Sequence, residues 1–176
     1  FCFENILRQI VQSMGGPAAF ALPYRNYEGG GDRASLPHAF RRQFLDDGAT
    51  PNPLLLADPA RRSGWNTGQV RINLVVNNSN AALAEPRFVL PPPAAGFGGG
   101  AMTRSHAPTS SGLIESSPHN GVHTSFLDVR PTAPCNASLM AFPNCAALDP
   151  IFWLHHANID RLWNVWLATR NGSNPS

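Results

Sequence analysis

Four of the six histidines in this 176-residue chain form two pairs whose spacing suits metal chemistry. His119 and His123, in PHNGVH, are four residues apart, which sets both rings on one face of a helix. Two imidazoles so placed can chelate one ion, and a third ligand from another helix leaves a coordination position open for substrate or oxygen. His155 and His156 are adjacent in DPIFWLHHANIDRLW, a segment otherwise rich in Phe, Trp, Leu and Ile. Phe152, His156, Ile159, Trp163 and Trp166 form one apolar stripe at helical spacing; Ile151, His155, Leu162 and Trp166 form another, one residue to the side. Periodicity leaves open which histidine of the pair faces a ligand. It also leaves open a purely structural role, with both rings satisfied by carboxylates such as Asp160 or by backbone carbonyls.

The elements that must position these rings are two helices. One is predicted over Leu113 to Leu127. The other starts at Asp149-Pro150, an N-cap with proline at the first helical position, and runs to about Thr169 before Asn171-Gly172. The loop between them, of about twenty residues, is long enough to suggest a functional role. A further helix is expected at the N-terminus, where Phe3, Ile6, Leu7, Ile10, Val11 and Met14 keep helical spacing up to Gly15-Gly16-Pro17. No capping residue precedes it, so the chain is expected to be a fragment that starts inside an element. Residues 28–68 hold Pro/Gly-rich stretches around PHAFRRQFL, a short helical turn. GQVRINLVVNN alternates, which favours a short strand with a helix as the alternative, and LPPPAAGFGGGA reads as a surface loop. Its glycines neither follow a strand nor open a helix, which argues against a nucleotide site. The class is mainly α.

Composition narrows the partners. Charged residues are 14%, hydrophobic ones 43% and the net charge is +2 with no basic run, which gives no footprint for nucleic acid. No apolar run is long enough for a membrane span. Cys135 and Cys145 share one loop and could pair, leaving Cys2 over. With these cysteines and the sequons at Asn77, Asn136 and Asn171, the compartment stays open, leaning slightly to a secreted or extracytoplasmic one. Oligomeric state is not legible.

The string DPIFWLHHANIDRLW, preceded by PHNGVH, resembles the second copper-binding half of tyrosinases, catechol oxidases (polyphenol oxidases) and related type-3 dicopper proteins. FALPYRNY is similar to the ALPYW segment of that family, and SLPHAFR with NPLLLADPARR to the stretch that follows. The likeness covers most of the chain and is weakest at about residues 65–100. It implies an antiparallel helical bundle around a dicopper centre, with long Pro/Gly-rich loops and at most a few short strands. It also implies His119, His123 and His156 as the ligands of one copper, with His155 a neighbour lining the site and Asp160 a candidate for steadying His156. Glu115 and Asn120 match residues that hold an active-site water able to take a phenol's proton. Without the resemblance, Glu115 reads equally well as a first-turn glutamate facing the helix dipole. Thr124 matches a position linked to substrate preference. Pro143 stands where plant enzymes often place a phenylalanine over this copper, with Phe142 beside it.

A type-3 centre needs two coppers, each held by three histidines. The resemblance puts the first-copper ligands upstream of residue 1, so residues 1–176 are expected to be an incomplete catalytic domain holding one of two coppers. His38 and His106 are in the wrong context to replace them, and Arg25 stands where the family usually has tryptophan. The implied function is copper-dependent oxidation of small phenols by molecular oxygen: ortho-hydroxylation of monophenols and oxidation of o-diphenols to o-quinones. Other readings are a catechol oxidase without hydroxylation, a haemocyanin-like oxygen carrier, a three-histidine zinc hydrolase, and an inactive half-site.

Overall fold

Helix α1 (Cys2–Ser13) forms where the apolar spacing predicted it and ends before Gly15, whose φ of 81° suits glycine. The computed structural model describes residues 2–57, 61, 63–100, 111–127, 135 and 138–170. Phe3 of α1 stacks on Trp153 with ring centroids 3.6 Å apart, and Arg8 donates to the Phe20 carbonyl at 2.7 Å. Ile6, Ile10 and Met14 stay exposed. Most of residues 14–100 is loop and single turns, including a 3-10 turn at His38–Phe40 within PHAFRRQFL. Two short helices interrupt it, α2 (Ser63–Asn66) and α3 (Asn80–Ala84).

The strand expected in GQVRINLVVNN does not form. Arg71 makes a single antiparallel bridge to Ser35, and Val75 and Val76 project into solvent. Alternation buries Ile72 there, but among the described residues no neighbouring strand runs alongside to extend the ladder. The sheet among the described residues is instead β1 (Val89–Leu90) paired in parallel with β2 (Gly99–Gly100), in register Val89↔Gly99 and Leu90↔Gly100. The LPPPAAGFGGGA stretch is therefore not all surface loop. It drives Phe97 fully into the interior, stacked on Trp166 with centroids 4.5 Å apart. Gly98 lies where a Cβ would overlap the Phe88 ring, so the glycine permits that packing.

The helix predicted over residues 113–127 is broken at Ser117, which is extended (φ −150°, ψ 126°). Proline excludes the preceding residue from the α region, and Pro118 follows. Glu115–Asn120 crosses the break as a wide π-type turn and continues into α4 (Gly121–Ser125). Asn120 and Gly121 keep helical dihedrals, so His119 and His123 share one helical register beyond the break. The Ser117 hydroxyl accepts from Asn78 N–H at 3.1 Å and lies 2.9 Å from the Asn78 carbonyl, pinning the break to a neighbouring turn.

Helix α5 (Ile151–Arg170) is anchored at its start. Asp149 accepts from Ile151 N–H at 3.1 Å, as the cap reading required, and its carboxylate forms a two-pronged ion pair with Arg61 (Nε to Oδ2, 3.1 Å). Both side chains are buried, and Arg61 also donates to the Phe40 and Leu54 carbonyls at 3.2 Å each. The deep face of α5 is Ile151, His155, Asn158, Leu162 and Trp166, while Phe152, His156, Ile159 and Trp163 are half-buried one residue to the side. One hydrophobic cluster, including Tyr27, Trp65, Val122, Phe126, Met140 and Ile151, packs α4 against the start of α5. A second, with Ala82, Phe97, Ile114, Leu162 and Trp166, packs its far end. Cys135 and Cys145 are joined in a disulfide and Cys2 is free. His106, the sequons at Asn136 and Asn171, and the Pro134 end of the loop lie outside the described residues.

Removing one partner of a buried ion pair leaves the other charge uncompensated, which typically costs about 3–5 kcal/mol. Arg61→Ala is expected to lower the unfolding free energy by about that amount in chemical denaturation. An unchanged midpoint would mean that Asp149 finds water or another partner.

Candidate metal centre

Helices α4 and α5 face each other so that three ring nitrogens converge. His156 Nε2 lies 3.3 Å from His119 Nε2 and 3.3 Å from His123 Nε2. The outer nitrogens explain why. His119 Nδ1 is 3.1 Å from Asn120 Oδ1 and 3.2 Å from a Glu115 carboxylate oxygen, and His123 Nδ1 is 2.5 Å from the Met140 carbonyl. Those partners are acceptors, so both Nδ1 atoms carry the proton and both Nε2 atoms present bare lone pairs. His156 has one Nε2–H to donate at most, so the protein alone leaves at least one of two inward-facing lone pairs unsatisfied. A cation at the convergence point satisfies all three. Three imidazoles suit a transition-metal ion such as copper, zinc, iron or nickel.

Burial keeps two of the rings in their ligating form. Burial, aided by the nearby His119 and His123 rings, pushes His156 down to about 4 from its ordinary 6.5. Burial also lowers His123, opposed by its hydrogen bond to Met140. Both are neutral near pH 7, so a metal does not have to displace a proton from them.

The other candidate residues separate into two groups. Glu115, Asn120, Thr124 and Pro143 line one cavity with the three convergent histidines, together with Ala141, Ala146 and Phe152; its volume is about 340 Å³. Thr124 turns its hydroxyl onto the Asn120 carbonyl at 3.0 Å. His155 and Asp160 do not line that cavity. His155 is fully buried behind it, 5.9 Å centroid to centroid from Tyr27, and burial holds it well below its ordinary pKa. One of its ring nitrogens nevertheless belongs to a four-histidine group whose nearest nitrogens all lie within 4.8 Å of one another. Asp160 is exposed and lines a separate pocket with Glu4, Trp153 and one side of His156; no hydrogen bond joins it to His156 among the described residues. His38 stands apart from the four-histidine group.

Two features of the site had no signal in the sequence. The Met140 carbonyl that orients His123 is backbone, which every residue possesses. Phe152 stacks on His156 with centroids 4.0 Å apart and 30° between planes; its place one turn before His156 was visible, its contact was not.

The family model for the common central domain of tyrosinase matches residues 1–169. Tyrosinase HcTyr1 of Hahella sp. (strain CCB-MM4) is 40% identical over 183 aligned residues, covering 99% of this chain and 36% of that protein. Polyphenol oxidase E, chloroplastic, of Solanum lycopersicum is 27% identical, covering 94% of this chain and 28% of that protein. The chain thus spans roughly a third of the length of these relatives. Two solved structures of latent aurone synthase (polyphenol oxidase) superpose with TM-scores of 0.62 and 0.64 at 24% and 22% identity. They cover 93% and 96% of this chain and 32% and 33% of theirs, a likeness of fold.

Two outcomes follow for the metal-free protein. Between pH 6.5 and about 4 the unfolded chain takes up a proton that native His156 refuses, so stability is level above that window and declines as pH falls through it. Denaturant midpoints between pH 7 and 4 measure this; a constant midpoint means the ring titrates normally when folded. Metal titration against a competing chelator should show no measurable binding for His156→Ala and a smaller loss for His155→Ala. Equal losses contradict the division of roles within the pair.

Proposed function

This chain belongs to the tyrosinase family, whose metal is copper, and from that membership we propose that it supplies one copper site of an enzyme oxidising phenols with molecular oxygen. The observation that carries the proposal is the convergence of three Nε2 atoms, two of them fixed as bare lone pairs by their outer hydrogen bonds. His119, His123 and His156 would hold the ion. The chemistry that copper supplies when bound is one-electron exchange with oxygen and with phenols. Among the described residues there is one such histidine group. The family's dicopper centre needs a second, so the activity proposed belongs to the whole protein.

The chain's own residues do the positioning. Apolar walls from Ala141, Pro143, Ala146 and Phe152 accept an aromatic ring beside the histidines and exclude water from it. Small residues at 141, 143 and 146 leave the entrance wide. One carboxylate oxygen of Glu115 lies 3.2 Å from His119 Nδ1, whose hydrogen bond goes to Asn120, so the carboxylate is left to hold a water at the cavity. With the Asn120 amide, that water accepts the proton of an incoming phenol, which favours ortho-hydroxylation of monophenols followed by oxidation of the diphenol to an o-quinone. Glu115's closeness to His119 supports a second reading, diphenol oxidation alone, in which the carboxylate pairs with that ring instead of holding a water. The Cys135–Cys145 disulfide supports an oxidising compartment, secreted or otherwise outside the cytoplasm. No helix of the described residues is long and apolar enough to cross a membrane.

With the copper-loaded whole protein, tyrosine and catechol are both expected to yield coloured quinone. Glu115→Gln should cut tyrosine turnover by about 100-fold or more while catechol turnover changes far less. Turnover of catechol without tyrosine in the parent protein would remove the hydroxylase part. Equal losses on both substrates would show that Glu115 acts through His119 instead of a water.

A further inference from the structure

We propose that the Cys135–Cys145 disulfide is a positioning element for the copper site, because it closes the loop whose Met140 carbonyl fixes the orientation and tautomer of His123. The inference rests on the reading of His123 as a ligand.

Met140 sits near the middle of the segment closed by the disulfide, which joins positions ten residues apart. Its residues 138–145 fold as consecutive tight turns. Ala141 N–H donates to Ser138 O at 2.8 Å, Phe142 N–H to Leu139 O at 3.1 Å, and Cys145 N–H to Phe142 O at 2.9 Å. These turns occupy the carbonyls of Ser138, Leu139 and Phe142. The Met140 carbonyl takes no backbone donor among the described residues and faces His123 Nδ1 at 2.5 Å. Ser138, buried where the turns begin, has φ 51°, a left-handed setting that residues other than glycine seldom adopt. A loop keeps such a conformation when its surroundings impose it.

The far end of the cross-link is equally placed. Cys145 is buried and is followed at once by a 3-10 turn, Ala146–Leu148, that delivers the chain to Asp149, the cap of α5. The disulfide therefore ties the loop that orients His123 to the root of the helix that carries His156. Ala141, Pro143 and Ala146, which wall the cavity, belong to the same loop and turn. Opening the bridge frees the Met140 carbonyl to retreat. The His123 proton then has no fixed acceptor at Nδ1, and the ring can place it on Nε2, the atom that must stay bare to ligate. Met140's side chain is itself buried in the core, so burial alone is the competing way of holding the carbonyl in place.

The test compares the parent protein with Cys135→Ser/Cys145→Ser, and with Cys135→Ser/Cys145→Val, which keeps the buried position apolar if the first variant folds poorly. Cu(I) affinity is read by competition with a chromophoric chelator, and the His123 tautomer by nitrogen-15 NMR of the metal-free protein. The expected result is about a 10-fold or greater loss of affinity, the usual effect of losing an outer partner of a metal-bound histidine. With it, His123 should change from the Nδ1–H form to a mixture, in protein whose circular dichroism is unchanged. Unaltered affinity and tautomer in a folded variant overturn the proposal and assign the carbonyl's position to the core. If the parent protein binds no Cu(I), the ligand reading fails separately, and the tautomer comparison still decides whether the disulfide positions the ring.

Discussion

Two imidazole lone pairs fixed toward the nitrogen of a third ring are an arrangement that a folded chain must actively hold. The two 3.3 Å nitrogen–nitrogen separations at His156 set what the surrounding structure has to do. His119 and His123 each need an acceptor at the outer nitrogen to keep the inner one bare, and all three rings need a backbone that cannot relax away. His119 gets its acceptor from Asn120, with a Glu115 carboxylate oxygen 3.2 Å away, and His123 gets its acceptor from a backbone carbonyl. Burial keeps His156 and His123 from being protonated apart near neutral pH.

The backbone restraint comes from features that look unrelated to chemistry. Pro118 breaks the helix ahead of His119, and Ser117 ties that break to the turn at Val76–Asn78, which sets where α4 begins. At the other side, the buried Arg61–Asp149 pair and the Asp149 cap fix the start of α5 one turn before His156. The adjacent histidines then divide by face. His155 continues the deep stripe of Ile151, Asn158, Leu162 and Trp166, while His156 sits at the half-buried edge that the cavity reaches. A ring sealed in the core would have no open coordination side to offer.

Much of this was legible in the residues, but at different levels. The four-residue spacing of His119 and His123 and the Asp149-Pro150 start of α5 depend on local rules, and the structure follows both. The choice between His155 and His156 was not legible from periodicity, because two stripes one residue apart score alike until a core exists to select one. The strand expected in GQVRINLVVNN failed for a similar reason: alternation describes a half-buried surface, and only tertiary context supplies the partner strand. The glycine-rich stretch around Phe97 hid a packing role, since close approach of Gly98 to Phe88 is a property of two distant segments. The Met140 carbonyl carries no side-chain signature at all. Asp160, a natural guess one turn beyond His156, faces another pocket.

Domain extent, ligand set and reaction all turn on whether a metal occupies the convergence point. Diffraction from copper-loaded crystals at the copper absorption edge addresses this without reference to activity. A single anomalous peak is expected among these residues, bonded at about 2 Å to the Nε2 atoms of His119, His123 and His156. A peak on His155, on Cys2 or on His38 instead, or no peak at full copper loading, would contradict the account.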